Sequence, residues 1–541
     1  MKMKKHLAIA LSAVLLMPTA IFGREEKYGS AKNVILMIPD GMSVEIATGA
    51  RWLNKDYSLT MDSMVTGLVR TNNANTPIAD SAPAASAMAT GIKTESPFIS
   101  SYPSEAGLPG AEKFDESKAY MPLATVLEGA KRSGRSTGIV STSNVQHATP
   151  ADFSSHHPNR NEYEILGEQQ VYQDMDVVLG AGSTYLDGAK RKDKEDLISE
   201  IKGLGYDYVT NRDGMKASTG NKIWGMFDEK SFPYDLDRDQ KIQPSLEEMT
   251  DKALSILSKN DKGFFVMIEG SEVDWGAHAN DPVATLTETL AFDRAVKKAK
   301  DFVDKTPDTV LVIAADHGTG GMTYGHRNIS SGYDKQKLEA FTHILSQAKM
   351  TGQKAASLLN EKDGRSNIQE VFKDAYGITD LTPEEINLVK TADKKNLQTA
   401  IGKVVSDRSH IGWTTGGHVG GDIALYCYTN TDKAKKLAGS VFNSEIGRYM
   451  EDVLDLDLDN LTNNLYKPAR KEFEALGAKV DYVKEGQGNF ALKVTKGDKE
   501  ILLPVNKNYA LVAGKKVPTG GLTLNSTKTV YVPQGAIDLV K

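Results

Sequence analysis

An adjacent aspartate and histidine form the most chemically suggestive pair in this chain. Asp316 and His317 follow an apolar run and precede three glycines within residues 318–321. Carboxylate and imidazole groups are ligands that Zn²⁺ takes from proteins, and glycines let the backbone approach a bound group closely. The pair therefore predicts part of a metal or ligand site, with an ordinary turn as the alternative.

A second acidic and histidine-containing segment follows another apolar run. It contains Glu269, Asp274 and His278, and the last two are four residues apart. One turn of helix would therefore place a carboxylate and an imidazole on the same face. His418 precedes a further apolar run, and it could complete a zinc site with Asp274 and His278.

Ser81 lies where a helix is predicted to begin, because Pro83 suits a first turn and the following alanines favour a helix. Its hydroxyl would then meet free backbone N–H groups and the positive end of the helix dipole. The alternative, which this segment favours when it is read alone, is an N-cap serine on an alanine-rich core helix.

Asp40, at the end of another apolar run, is in isolation typical of a turn residue.

Arg160 is the candidate phosphate ligand. A guanidinium group can hold two phosphate oxygens at once, whereas a lysine cannot do so with the same geometry, although a lone arginine is usually a surface charge. His147 and Thr149 precede it at the end of a predicted strand. We predict that His156 and His157 are solvated loop residues.

Short, continuous apolar runs carry these polar residues at their ends. Such runs are typical of strands that are buried on both faces. They alternate with helical patterns, which predicts an α/β fold with a central, mainly parallel sheet flanked by helices. Ligands collect at the carboxyl ends of the strands in such folds. The predicted strands are 34–38, 137–140, 177–179, 264–268 and 310–315, and the predicted helices are 123–132, 245–257 and 282–303.

Two further segments differ from this alternating pattern. Residues 331–405 are polar and helical, and Thr382 to Glu385 form a helix start, which predicts a helical insertion capping the site. After about residue 462, short alternating runs are separated by glycine, lysine and asparagine. We therefore expect a main domain over residues 24–462 and a small β-rich domain over residues 463–541.

The composition and the N-terminus indicate an exported globular protein. The chain has 541 residues, of which 40% are hydrophobic and 25% are charged, as in ordinary globular proteins. Three lysines precede an apolar run at residues 7–22 that is short for a bilayer span, which predicts a signal peptide over residues 1–23 and a periplasmic or extracellular location. Removing those lysines changes the net charge from −6 to −9. That charge argues against nucleic acid or a membrane surface as a partner, and no stable membrane anchor is expected.

Cys427 is the single cysteine, so the chain cannot form an internal disulfide or a thiolate zinc cluster. It lies in an apolar run, which predicts a packed strand residue.

Taken together, these segments resemble the alkaline phosphatase family, in that family's order, across residues 34–428. The resemblance implies a metal-dependent hydrolase of phosphate monoesters, with Ser81 as the nucleophile and a phosphoserine intermediate. It also implies two zinc ions and one magnesium ion per chain. The residues that carry the resemblance are Asp40, Ser81, Thr149, Arg160, Glu269, Asp274, His278, Asp316, His317 and His418.

The resemblance also implies a role for each of these positions. Asp274, His278 and His418 match the ligands of the first zinc ion. Arg160 matches the residue that holds the phosphate. The second zinc ion would take Asp40, Asp316 and His317 together with Ser81, and the magnesium ion would take Asp40, Thr149 and Glu269. His147 and Trp275 would contact substrate, at positions where some members carry aspartate and lysine or histidine, respectively.

Alternative functions remain open at this point. The segment 81–85 is similar to the Ser/Cys-x-Pro-x-Arg signature of sulfatases, but Ala85 replaces the arginine. A phosphodiesterase or sulfatase of the same superfamily is therefore one alternative, and a non-catalytic secreted protein that binds phosphate and zinc is another. The expected partners are small phosphate monoesters. The resemblance also suggests a homodimer. The C-terminal domain resembles the copper amine oxidase N-terminal domains and is a candidate for contact with the cell surface or wall.

Overall fold

A computed structural model describes residues 27–486, 489–527 and 529–541. The predicted signal peptide therefore lies outside the described residues. The strands, in chain order, are β1 (Asn33–Pro39), β2 (Val65–Arg70), β3 (Ser136–Asn144), β4 (Val177–Ala181), β5 (Asp207–Val209), β6 (Ile223–Met226), β7 (Phe264–Gly270), β8 (Thr309–Ala314), β9 (Gly318–Thr319), β10 (Thr323–Tyr324), β11 (Ile411–Gly412), β12 (His418–Val419), β13 (Ile423–Thr429), β14 (Gly439–Phe442), β15 (Lys467–Pro468), β16 (Lys479–Glu485), β17 (Asn489–Lys496), β18 (Lys499–Pro504), β19 (Tyr509–Val512), β20 (Lys515–Pro518), β21 (Leu524–Ser526) and β22 (Thr529–Val532).

The α-helices complete the architecture. They are α1 (Val44–Leu53), α2 (Ser81–Thr90), α3 (Val126–Arg132), α4 (Ala148–Ser154), α5 (Tyr163–Tyr172), α6 (Leu197–Gly203), α7 (Arg212–Ala217), α8 (Leu246–Leu257), α9 (Glu272–His278), α10 (Pro282–Lys305), α11 (Leu338–Gln347), α12 (Gly352–Ser357), α13 (Ile368–Tyr376), α14 (Pro383–Thr391), α15 (Leu397–Arg408), α16 (Asn443–Val453), α17 (Leu458–Leu465), α18 (Ala469–Ala475) and α19 (Gln534–Asp538). Within the described ranges, no helix combines the length and apolarity needed to cross a membrane.

A ten-stranded sheet forms the centre of the fold, in the order β14-β2-β13-β8-β1-β7-β3-β4-β6-β5. All neighbouring pairs are parallel except those of β13, which runs antiparallel to both β2 and β8. Strands β1, β7 and β8 are buried along their whole length. This burial explains their continuous apolar sequences, and the mainly parallel sheet is confirmed.

Helices flank this sheet. In one group of helices α10 contacts α1, α8 and α9, and in a second α2 contacts α3, α4 and α16. Local sequence signals fix several helix starts. Helix α8 begins with a capping box between Ser245 and Glu248, and α10 begins with Asp281 as its N-cap followed by Pro282. Cys427 is buried in β13, as predicted.

The segment over residues 331–405 is helical, as predicted. It contains α11 to α14 and most of α15, and Thr382 forms a capping box with Glu385 at the start of α14. Strands β10 and β11 pair on either side of this segment and bring its two ends together. Its function as a cap over the site stays a prediction.

The C-terminal residues form a small β-rich unit with its own apolar core. Strands β16 to β20 make a five-stranded antiparallel sheet, and β15, β22 and β21 make a three-stranded one. Phe473, Leu503 and Val532 are fully buried in the core between these strands and the nearby helices. The predicted β-rich module is thereby confirmed, while its boundary at residue 463 stays a prediction.

Candidate active site

Four adjacent strands bring the predicted site residues together. In the order β8-β1-β7-β3, the parallel register pairs Ile38 with Glu269 and Pro39 with Gly270. Asp40 follows β1 directly, Asp316 lies two residues beyond β8, and Glu269 lies at the end of β7. Because parallel strands end at one edge of the sheet, these three carboxylates converge there, and all three are fully buried.

The first cluster consists of Asp274, His278 and His418. Helix α9 carries Asp274 and His278 one turn apart, with His278 Nε2 at 3.3 Å from Asp274 Oδ2. His418 reaches the cluster because β12 pairs with β9 just beyond Asp316, and its Nε2 lies 3.1 Å from His278 Nε2. Ligand atoms of the three residues all lie within 4.8 Å of one another.

The second cluster consists of Asp40, Asp316 and His317. His317 Nε2 lies 3.2 Å from Asp316 Oδ2 and 3.6 Å from Asp40 Oδ1, with all three side chains fully buried. The same nitrogen lies 3.2 Å from Ser81 Oγ. The hydroxyl of Ser81 therefore faces this second cluster.

The hydrogen bonds of the three histidines fix which ring nitrogen faces each cluster. His278 Nδ1 and His418 Nδ1 lie 2.7 Å from the carbonyl oxygens of Gly416 and Ala79, respectively, so both nitrogens must be donors. Thr319 Oγ1 donates to Asp274 Oδ1 at 2.5 Å, so it accepts from His317 Nδ1 at 3.2 Å.

The Nε2 atoms are thereby left to face the carboxylates and one another. Metal-binding histidines usually donate their other N–H group in this way, which fixes the orientation of the ring. Two Nε2 lone pairs 3.1 Å apart beside a buried carboxylate repel one another unless a cation or proton lies between them. The donor sets thus fit divalent metal ions.

A third group of oxygens lies beside the second cluster. Both carboxylate oxygens of Asp40, Oε1 of Glu269 and Oγ1 of Thr149 are buried and make no hydrogen bond to the described residues. Burial, reinforced by Asp316, raises the pKa of Asp40 well above its ordinary value, and burial raises the pKa of Glu269 to about 7. Unpaired buried oxygens of this kind fit a hard cation such as Mg²⁺.

In the first cluster the pKa of the carboxyl is lowered, whereas those of Asp40 and Glu269 are raised. Burial opposes ionisation of Asp274, but its hydrogen bond with His278 and the neighbouring histidine charges hold the pKa of its carboxyl well below its usual range. Burial also opposes ionisation of His278 and lowers its pKa. The hydrogen bond to Asp274 and the negative charge of Asp274 have a larger effect, and they raise the pKa of His278 to about 9. Asp274 is therefore an anion ready for a cationic partner.

Ser81 is the first residue of α2, and Asp80 is its N-cap. Arg160 lies beside it, with Nη1 donating to Asp80 Oδ1 at 2.6 Å and Nη2 donating to His147 Nε2 at 3.1 Å. Burial and the charge of Arg160 lower the pKa of His147 to about 3, so its imidazole is neutral. The structure thus holds a guanidinium group next to the candidate nucleophile.

Trp275 and His147 lie together at this end of the site, with ring centroids 5.9 Å apart and planes at 82°. Both side chains are half-buried. Their predicted contacts with substrate stay a prediction.

Three positions in the site were not assigned a role from the sequence. Thr319 connects Asp274 to His317, Asp80 orients Arg160, and Ser141 donates to Glu269 Oε2 at 2.6 Å. Two signals were visible in the sequence, since Asp80 precedes Ser81 and Thr319 lies two residues after His317, whereas Ser141 meets Glu269 only through tertiary structure.

Gly41 shows how closely the segments pack. Its φ is +74°, and a Cβ atom there would lie 2.8 Å from Asp274 Cα and from Thr319 Oγ1. A glycine is therefore required directly after Asp40.

The prediction of a solvated loop position for His156 is wrong. His156 is buried, its Nε2 lies 3.2 Å from Glu128 Oε1 and 2.7 Å from the hydroxyl of Tyr466, and its Nδ1 donates to the carbonyl of Ser100. The partners lie far apart in sequence, so the histidine doublet gave no local sign of burial. His157 is half-buried.

An α/β sheet with two carboxylate–histidine clusters and a serine at a helix N-terminus defines a metal-binding hydrolase. Residues 31–456 match the sequence model of the family described as "Alkaline phosphatase". The chain therefore belongs to the alkaline phosphatase family, and it is an enzyme, a phosphoric monoester hydrolase.

Individual relatives agree with this membership. Alkaline phosphatase 3 of Bacillus subtilis is 35% identical over 447 residues, which cover 79% of this chain and 90% of that protein. The crystal structure of a cold-active alkaline phosphatase from the psychrophile Shewanella sp. has a TM-score of 0.67 at 29% identity, covering 78% of this chain and 99% of that chain. The Thermus thermophilus alkaline phosphatase has a TM-score of 0.71 at 26% identity, covering 82% and 96%. Residues 458–539 match the model described as "Copper amine oxidase N-terminal domain".

Proposed function

We propose that the enzyme hydrolyses phosphate monoesters through a phosphoserine formed on Ser81. The observation that carries this proposal is the position of Ser81 Oγ, 3.2 Å from His317 Nε2 at the edge of a carboxylate–histidine cluster. A serine hydroxyl at its ordinary pKa is a weak nucleophile and needs activation by a neighbouring group. No comparable reason favours a phosphodiesterase, a sulfatase or a non-catalytic binding protein.

The metal ligands follow from the same clusters. Asp274, His278 and His418 would hold one zinc ion, and Asp40, Asp316 and His317 would hold a second. Asp40, Thr149 and Glu269 would hold a magnesium ion through the oxygens that are buried and without hydrogen bonds to the described residues. When bound, the ions supply positive charge that favours the serine alkoxide and the leaving oxygen.

The residues of the chain carry out the remaining tasks. Arg160 holds two non-bridging phosphate oxygens, and Asp80 and His147 keep its guanidinium plane in position. Ser81 Oγ loses its proton to solvent and forms a bond to phosphorus as the bond to the alcohol oxygen breaks, and the alcohol oxygen takes up a proton from solvent. Water then attacks phosphorus, the Ser81 Oγ–phosphorus bond breaks, and inorganic phosphate leaves.

Acid quenching tests the intermediate. Purified holoenzyme mixed with a phosphate monoester and quenched in acid should carry a phosphoryl group on the peptide containing Ser81. The variant S81A should lose both this modification and hydrolysis, whereas S255A, which removes an exposed serine hydroxyl on α8, should keep both. Undiminished hydrolysis by S81A would refute the proposed nucleophile.

Elemental analysis tests the cofactors. We expect two zinc ions and one magnesium ion per chain, and loss of activity on chelation that zinc and magnesium together restore. Removal of zinc without any loss of activity would contradict the assignment of the two clusters.

Secretion after removal of residues 1–23 and assembly into a homodimer belong to the same proposal. The N-terminal sequence of the exported protein and its mass in light scattering test these two points. An uncleaved N-terminus or a monomeric mass would exclude the corresponding part. Contact of the C-terminal module with the cell wall should appear as binding to isolated walls that is lost when the wall is digested.

A further inference from the structure

A cavity of about 420 Å³ lies between the catalytic part of the chain and the C-terminal β-rich unit. Its volume falls within the range of ligand sites. One wall is formed by His157, by residues 161–165 and by Glu168, which include the start of α5 and lie on either side of Arg160 in the sequence. The opposite wall is formed by Tyr482 of β16, by Asn489 and Phe490 of β17, and by Val505 and Asn506.

This cavity adjoins the residue that would bind phosphate. Tyr163 lines it, and the Tyr163 ring lies 6.4 Å from the ring of His147, which accepts a hydrogen bond from Arg160. Tyr185, also on the wall, packs edge-on against Tyr163 at 5.0 Å. The rings of Tyr163 and His147 therefore connect the wall of the cavity to the guanidinium group of Arg160.

The β-rich unit presents two stacked aromatic rings to this cavity. Tyr482 and Phe490 are diagonal neighbours on the paired strands β16 and β17, with ring centroids 5.1 Å apart and planes at 18°. Tyr482 and Phe490 are 44% and 36% exposed, respectively, so the pair is accessible to a ligand. Such a pair offers an apolar surface to a flat or weakly polar ring.

The rest of the lining is polar and predominantly acidic. Four carboxylates face two cationic side chains, Arg191 and Lys192, and Arg191 is already paired with Asp193. The buried Oε1 of Glu168 accepts no hydrogen bond from the described residues, with Lys507 Nζ 3.7 Å away. A hydroxyl group can donate to such an oxygen, whereas a further anionic group would be repelled.

From these features we infer that the cavity is a subsite for the sugar ring of a sugar phosphate whose phosphate is bound at Ser81 and Arg160. A sugar presents C–H groups that pack on the Tyr482 and Phe490 rings and hydroxyls that hydrogen-bond to carboxylates. The inference rests on the proposed function, because it needs phosphate to be held by Arg160.

The start of β17 and the connection after β18 both contact the catalytic part, and Asn489 Nδ2 donates to Glu195 Oε2 at 3.4 Å. Asn506 Nδ2 donates to Glu168 Oε2 at 2.9 Å, and Asn506 Oδ1 accepts from Gln169 Nε2 at 3.2 Å. Lys507 Nζ pairs with Glu195 Oε1 at 2.6 Å. The contacts of Asn506 join α5 to the connection between β18 and β19, and those of Lys507 and Asn489 join Glu195 to the same β-rich unit, so this wall is held by the protein itself.

The test compares two primary-alcohol esters whose leaving groups have similar reactivity. The value of kcat/KM is measured with full-length holoenzyme for glucose 6-phosphate and for ethyl phosphate. We expect the ratio of the two values to exceed one, and to fall about tenfold in the variant Y482A. The matched control Y333A removes an aromatic ring that is 68% exposed in the helical segment, and it should leave the ratio unchanged.

The outcomes separate this inference from the proposed function. If S81A abolishes hydrolysis of both esters but Y482A and F490A each keep the wild-type ratio, the sugar subsite is refuted and the nucleophile stands. If S81A still hydrolyses either ester, the proposed nucleophile fails, and with it the basis of the subsite. A fall in the ratio with unchanged inhibition by inorganic phosphate supports the subsite.

Discussion

Replacing Arg160 by lysine tests whether phosphate is held by the geometry of the guanidinium group or by its charge alone. The group has five N–H donors. Asp80 and His147 occupy two of them, and three remain for phosphate. A lysine keeps the positive charge but cannot contact Asp80, His147 and two phosphate oxygens together, so at least one charge-assisted hydrogen bond to phosphate is lost.

The size of the expected effect follows from that lost contact. A hydrogen bond to a charged group contributes about 1.5–3 kcal/mol, so a loss of about 2 kcal/mol corresponds to an inhibition constant for inorganic phosphate that is about 30-fold higher. We expect kcat/KM for monoesters to fall by a similar or larger factor. The zinc content should not change, because Arg160 belongs to neither metal cluster.

Steady-state kinetics with phosphate as a competitive inhibitor measure this change. The control is R294K. Arg294 lies on the surface of α10, is half-exposed and pairs with Asp235. An inhibition constant for R160K within about twofold of the wild-type value, a difference below ~0.5 kcal/mol, would refute the role of the planar guanidinium group.

Three further substitutions have defined outcomes. T319V removes the hydroxyl that contacts Asp274 and His317. The affinity for zinc, measured in a competition titration, should therefore fall by ~10-fold or more. An affinity equal to that of the wild type would contradict the role of Thr319 in holding these two side chains. G41A places a Cβ atom against Asp274 at a backbone φ of +74°. We therefore expect a lower midpoint of thermal unfolding and less bound zinc. A midpoint equal to that of the wild type would contradict the requirement for glycine at this position. Burial opposes the ionisation of Glu128, but its buried partners, chiefly His156, outweigh burial and lower the pKa of the carboxyl to about 2. The stabilisation from the ionised carboxylate is therefore fully present above the unfolded pKa of ~4.3. It is lost as the pH falls towards 2. E128Q should therefore reduce the free energy of unfolding at pH 7 by ~3 kcal/mol and flatten its acid dependence, and an unchanged acid profile in chemical denaturation would contradict it.

The sequence was sufficient to predict the central elements of the fold. The runs 34–38, 264–268 and 310–315 are continuous and apolar because both faces of β1, β7 and β8 are covered. Since parallel strands end at one edge, the convergence of Asp40, Glu269 and Asp316 follows from the same pattern.

Other contacts could not be read from the sequence. Strands β9 and β12 have two residues each, which is too short for any periodic signal, yet their pairing brings His418 to the site. Asp80 and Arg160 lie 80 residues apart, and His156 meets Tyr466 across 310 residues. Such contacts depend on packing between distant segments, which local patterns do not encode.

The anchoring of the histidines links the position of Ser81, the proposed nucleophile, to the two proposed metal clusters. His418 donates from Nδ1 to the carbonyl of Ala79, two residues before Ser81, while its Nε2 faces the first cluster. His317 faces Ser81 Oγ through Nε2 and is held through Nδ1 by Thr319, which also holds Asp274. A displacement of either ring therefore shifts the backbone or the hydroxyl environment of Ser81. Because the two clusters share these contacts, a metal ion bound at one cluster would favour the arrangement that the other cluster needs, and contacts from both clusters reach the start of α2.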